Sequence, residues 1–159
     1  MCGEFPMSRA KGRSESRCLL LSLHPRHACN IFAGIKTIEL RRIRPKLSAG
    51  DMIVVYTSSP IKAISGWCTA RSVLEGPPEA IWRQTRHACA ISKTEFDEYF
   101  RGAARSFAIN LTNPTRLSRS VSLETLRLAF PGFSPPQSYH YISDERMLSF
   151  LVGPSAVAA

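Results

Sequence analysis

Four residues within "AGIKTIELRR" (33–42) have side chains and a spacing suited to recognising an anionic or base-like ligand: Gly34, Lys36, Glu39 and Arg41. An arginine offers a planar fork of donors to a phosphate or a base edge, and a lysine offers a point charge. A glutamate can accept from an exocyclic amine, and it can also hold a neighbouring arginine in position. Side chains on an extended chain alternate faces, so Thr37, Glu39 and Arg41 share one face and Ile38 and Leu40 the other. One face packs; the other is polar. Gly34 lets the preceding turn close without a blocking side chain. That leaves Lys36 at the corner and directs Lys36, Glu39 and Arg41 toward a cleft beside the first helix. Arg42 adds a further positive charge. The competing account is structural, with Glu39 and Arg41 forming an internal ion pair that braces the fold.

Other groups fit the same chemistry. Tyr56, at the end of an expected strand, and Tyr139, in the proline-flanked loop "PPQSYHY" (135–141), are candidate stacking surfaces for an unpaired base. Ser58, Ser59 and Gln137 can supply neutral hydrogen bonds. Each of these five has packing as an equal alternative. The repeated "RHAC", at 26–29 and 86–89, supplies two His and two Cys. If both copies are helical, the i to i+2 spacing sets His and Cys about 200° apart, so they cannot chelate one ion together. No metal and no cofactor are expected. The histidines form no triad, since a G-x-S-x-G nucleophile motif is absent. His24 is the histidine expected near the cleft.

These residues need a scaffold, and the chain describes one. "CLLLSL" reads as a buried strand, and "PRHACNIFAG" as a short helix with Pro25 in its first turn and Gly34 as its stop. "TIELRR" returns as strand. After the turn "SAGD" come the strand "MIVVYT", the tight connection "SSP", and "IKAISGWCTARSVL" as a long strand or a pair broken at Gly66. A helical insertion follows, with "EAIWRQT" short and "SKTEFDEYFRGA" stronger. In the latter Ser92 and Glu95 make a capping box, Ile91 and Phe96 a staple, and Phe96, Tyr99 and Phe100 face inward. "RSFAINLT" reads as strand, "SLETLRLA" as helix and "SDERMLSFLV" as a last helix capped by Ser143. Short, dense strands with helices between them predict an α+β fold on a small, strongly curved barrel.

The chain of 159 residues, 44% hydrophobic, can bury one core and not two. One domain, 18–152, is expected between a disordered basic arm (1–17, with Met7 an alternative start) and a flexible tail (153–159). No apolar run reaches the roughly 20 residues of a membrane helix, and "CLLLSL" is too short for a signal core. Five cysteines without a CxxC spacing predict reduced thiols in a cytoplasm. A monomer is favoured. The formal net charge of +9 favours polyanions. Five cations against Glu39 alone between 34 and 46, and five acids between 75 and 98, predict a basic side and a more acidic one.

The spacing G-x-K-x-x-E-x-R resembles the signature of ASCH domains, whose fold is a PUA-like β-barrel. "LLLSLHPRHACNIFAGIKTIELRR", "GDMIVVYTSSPIKAISG", "ISKTEFDEYF" and "PPQSYHY" resemble a bacterial branch of that family in order and spacing, over roughly residues 18–142. The resemblance implies a nucleic-acid binder, of RNA or DNA or of a modified or free nucleotide, with Lys36, Glu39, Arg41, Arg42, Tyr56, Ser58, Ser59, Gln137 and Tyr139 as its contacts. It also implies an alternative, since a bacterial subset resembles amidohydrolases that deacetylate 4-acetylcytidine. Lys36 would then be base or nucleophile beside Arg41, with Glu39 the other candidate catalytic group. In that subset, however, the position of Glu39 carries threonine, and an adjacent carboxylate works against Lys36 as a base. Another nucleic-acid-processing hydrolase, and a structural role in a larger complex, are the remaining alternatives.

Overall fold

Leu19, Leu20, Leu21 and Leu23 leave the first strand without a polar face, and the strand sits accordingly inside the sheet rather than at its edge. In the computed structural model, which describes residues 16–153, β1 (Cys18–Leu23) pairs parallel with β3 (Met52–Thr57) and antiparallel with β6 (Tyr139–Ile142). The six strands run in the order β2-β5-β4-β3-β1-β6, with β2 at Ile38–Arg41, β4 at Ala63–Gly76 and β5 at Ser106–Ser122. The sheet curls into a half-barrel, and five helices cover it.

Three apolar clusters follow from strand alternation. Leu19, Leu21 and Leu23 face α1 (Pro25–Phe32), which contributes Ala28 and Ile31. Cys18 and Leu20 face the other way, under α4 (Leu123–Ala129) and α5 (Glu145–Val152) through Leu126 and Leu151. Ile38, Leu40 and Ala108 pack beneath the insertion, against Ile81 of α2 (Pro78–Thr85) and Phe96 of α3 (Lys93–Tyr99). The capping box at Ser92 and Glu95 forms, and Ile91 joins Phe96 in that cluster. Tyr99 differs from its expected burial: it is 39% exposed and donates its hydroxyl to the Leu40 carbonyl at 3.4 Å.

Of the two readings of "IKAISGWCTARSVL", the long strand is the one found: β4 runs through Gly66, with register slips against its neighbours. The glycine has another use, because a Cβ there would collide with the Thr115 carbonyl and lie 2.8 Å from the Phe32 ring. β5 continues through "NPTRLSRSVS", whose polar composition hides the strand, with Pro114 and Asn113 (φ +51°) taken up in a bulge. Tyr139 lies in strand β6, not in a loop, because "YHYI" pairs against Cys18–Leu21 despite the prolines before it. Asp144, not Ser143, caps α5, with its carboxylate accepting from the Arg146 and Met147 N–H groups.

The open side of the half-barrel is bridged by side chains. The edge strand β2 and the chain after it reach the other edge through Arg41 to Ser138 (3.2 Å), Tyr139 to the Arg44 carbonyl (3.4 Å) and the Lys46 N–H to Tyr141 (2.7 Å). Arg17 is tied down as well, its N–H donating to Asp51 at 3.0 Å. The rest of the expected N-terminal arm, residues 1–15 including Met7, and positions 154–159 of the expected tail lie outside the described residues. No helix among the described residues is long and apolar enough to cross a membrane.

Candidate nucleic-acid interface

Both faces of β2 are covered, so the charges of the G-x-K-x-x-E-x-R motif are buried, with Lys36 3%, Glu39 6% and Arg41 8% exposed. They satisfy one another. Glu39 Oε1 accepts from Arg41 at 2.9 Å, and its Oε2 lies 3.4 Å from Lys36 Nζ. Lys36 Nζ also donates to the Cys89 carbonyl at 2.6 Å. The cluster thus ties β2 to the turn after α2 and, through Arg41 and Ser138, to the start of β6. Among the described residues, Arg41 Nε and His27 Nδ1 are buried without a partner, an arrangement that costs free energy.

A cavity of about 220 Å³ opens onto this cluster, walled by Leu40, Ile91 and Tyr99, with Arg26, His27 and Glu95 also lining it. Burial and then the Lys36 ammonium hold the His27 imidazole below its usual range, against the pull of Glu39. At the rim, the Ser92 N–H and then Arg26 hold the Glu95 carboxyl down to about 2. Burial, helped by the Glu39 charge, pushes the Cys68 thiol up to about 12, leaving it inert.

A second, more open compartment of about 560 Å³ lies alongside, lined by Tyr56, Ser58, Ser59, Lys62, Arg127 and Gln137 together with prolines 135 and 136. Ser22, Leu23 and His24 line both compartments. The two compartments therefore adjoin, with the end of β1, where His24 caps α1, as the wall they share. Lys62 is held in the left-handed region (φ +50°), its carbonyl accepting from Leu123 N–H at 2.8 Å. For a side chain this backbone is strained, as functional positions often are. Tyr56 is 3% exposed and packs in the cluster under α4, presenting only part of its ring to the mouth. Burial raises its hydroxyl pKa, with Arg127 pulling the other way.

The structure thus brings Lys36, Glu39 and Arg41 to the inner compartment and Tyr56, Ser58, Ser59 and Gln137 to the outer one. It brings neither Arg42 nor Tyr139 to the cleft. Arg42 donates to the Tyr99 carbonyl at 2.6 Å, and Tyr139 packs against Tyr141 and bridges the barrel edge. Sequence reasoning missed His27, Lys62 and Arg127. His27 stands one helical turn after His24, a periodic signal that was available; nothing local marks Arg127. The second "RHAC" lies in a turn rather than a helix, with Cys89 buried against the insertion and Cys29 exposed. Acids of the 75–98 stretch meet arginines. Glu75 pairs with Arg44 and Arg105, and Glu95 pairs with Arg26 at 2.6 Å.

A curled mixed sheet with helices inserted between its strands and a charged cleft at its side defines a PUA-like domain. The chain belongs to the ASCH domain family, which it matches over residues 21–115. It is similar to an ASCH domain-containing ribonuclease of Zymomonas mobilis subsp. mobilis, 27% identical over 126 residues, covering 79% of this chain and 84% of that protein. The crystal structure of ASCH from Zymomonas mobilis superposes with a TM-score of 0.79 at 25% identity, over 84% of this chain and 93% of that one. Human THYN1, solved in complex with 5-methylcytosine-containing DNA, shares the fold at a TM-score of 0.52 and 14% identity, over 86% and 96% of the two chains.

Proposed function

We propose that the protein binds single-stranded nucleic acid, RNA in preference, along this cleft. A base edge meets Glu39 and Arg41 at the inner end, and phosphate lies over Lys62 and Arg127 at the mouth. The observation that carries the reading is that the two compartments adjoin at Ser22–His24, which sets a donor-and-acceptor set beside cations that have no carboxylate partner among the described residues. A buried set of this kind suits a planar, hydrogen-bonding ligand, and exposed cations suit a backbone. Titrating a labelled 16-nucleotide RNA at several salt concentrations tests it. Each neutralised phosphate adds about 0.7 to the fall of log affinity with log salt. A flat response, or no binding, would sink the reading.

A second reading, RNA cleavage in the same cleft, is favoured by the name of the Zymomonas relative and by the strained Lys62 in the mouth. Attack of a 2′-hydroxyl on phosphorus with loss of the 5′-oxygen needs a group to take one proton, a group to give one, and cations on the phosphate. His24, Tyr56, Lys62 and Arg127 offer such groups. Cleavage of RNA but not of DNA of the same sequence, ending in cyclic phosphate, would establish it. Deacylation by Lys36 is the poorer fit, because Nζ is engaged as a donor to a carbonyl and stands beside a carboxylate.

A further inference from the structure

The excess positive charge lies elsewhere than the motif. Between Tyr99 and Leu123 the sequence holds no Asp or Glu and four arginines. Arg101 and Arg105 pair with Glu98 and Glu75, whereas Arg116 and Arg119 have no carboxylate partner among the described residues. Backbone geometry explains their exposure. β5 slips against β4 three times, and two of the slips flank these arginines: Trp67 pairs with Thr115 and Thr69 with Thr112, then Gly66 pairs with Arg116 and Ile64 with Val121. Residues 117–120 therefore stand opposite Ser65 alone, in a bulge that lifts them off the ladder. Leu117 turns back into the apolar cluster below and anchors the bulge, leaving Arg116, Ser118, Arg119 and Ser120 exposed.

This segment starts at the rim of the cleft. Ser122 pairs with Ala63, the residue after Lys62, and Ser120 is two residues further, about 7 Å along the strand. Two free cations and two hydroxyls, with no aromatic ring among them, are the groups that contact a backbone and not a base.

We propose that the bulged segment Arg116–Ser120 is a second phosphodiester-binding surface, outside the cleft, that holds the backbone of a single-stranded nucleic acid beyond the nucleotide in the mouth. The proposal rests on the nucleic-acid reading above. It predicts a length dependence: a 4-nucleotide RNA is held by the cleft alone, and a 16-nucleotide RNA or DNA reaches the bulge as well.

The test compares the wild-type protein with the R116A/R119A variant, by fluorescence anisotropy on 5′-labelled 4-mer and 16-mer RNA and a 16-mer DNA across a salt series. The variant is expected to reduce the 16-mer salt slope by about 1.4, two phosphates at about 0.7 each, equally for RNA and DNA, and to leave the 4-mer unchanged. R116K/R119K should restore the slope. If the wild type binds no oligonucleotide, the cleft reading fails and takes this one with it. If the wild type binds and R116A/R119A is indistinguishable from it, or weakens the 4-mer as much as the 16-mer, the second surface alone is refuted. A loss confined to RNA would assign the contact to ribose and overturn the phosphate assignment.

Discussion

Lys36 and Lys62 line two adjoining compartments and are held in opposite ways. Lys36 is 3% exposed, with a carbonyl at 2.6 Å and the Glu39 carboxylate at 3.4 Å. Lys62 is exposed, sits on a strained backbone and has no carboxylate partner among the described residues. The inner charges are thus spent largely on one another and on closing the half-barrel; the outer ones are left for something that arrives. A motif can therefore mark where a fold is braced, while exposed cations without a carboxylate partner among the described residues lie beside it and carry no motif. Both ends belong to one site only if the inner cluster can exchange part of its internal bonding for a ligand.

The largest effect that sharpens this contrast is on stability. Glu39→Ala leaves Lys36 and Arg41 buried without their counter-charge, and removing one partner of a buried ionic cluster costs about 3 to 5 kcal/mol. Lys62→Ala, a change at an exposed position, should stay within about 0.5 kcal/mol of wild type. Urea denaturation of both variants measures this. A Glu39→Ala protein less than about 1 kcal/mol weaker than wild type would mean that the cluster is no brace and that its charges are available to a ligand.

The next effect is on binding. Lys62→Ala and Arg127→Ala should each lower the salt slope for RNA by about 0.7 without altering the unfolding midpoint. Should both variants bind as wild type while Arg41→Ala, measured on its folded fraction, loses affinity, recognition lies at the inner end, and the mouth is only an approach.

Much of this was legible in the sequence. Alternation placed Ile38 and Leu40 in a core and opposed them to Glu39 and Arg41, and the capping box fixed α3. What alternation cannot show is what lies over the polar face. The insertion packs on Ile38 and Leu40, and the groups that hold the charges on the other face are distant in sequence: the Cys89 carbonyl that meets Lys36 is 53 residues away, and Ser138, which meets Arg41, is 97 away. Lys62 and Arg127 are separated by β4, α2, α3 and β5 and come to one mouth only because Ala63 pairs with Ser122 across the sheet. The long β5 was hidden because bulges admit Asn, Pro and Ser into a strand, which is also what exposes Arg116 and Arg119.

The smallest effect concerns pH at the inner end. The His27 imidazole is half-buried and faces Lys36, Arg26 and His24, with Glu39 opposing them, and its pKa lies below the ordinary 6.5. The unfolded chain thus binds a proton more readily than the folded one. The His27 contribution is intact above about pH 6.5, the unfolded value, and is lost as the pH falls from there through the lower folded-state pKa. His140, depressed by burial, acts in the same direction. Because the His27 ring is only half-buried and solvent screens it, its share between pH 6.5 and 5 should be under about 1 kcal/mol. His27→Gln should flatten the fall in stability over that interval and leave stability at pH 8 close to wild type. A variant that keeps the full acid slope would assign it to His140 and the carboxylates. The unpartnered Nδ1 would then be a plain cost of packing α1 against the motif, with no part in how the inner compartment responds to charge.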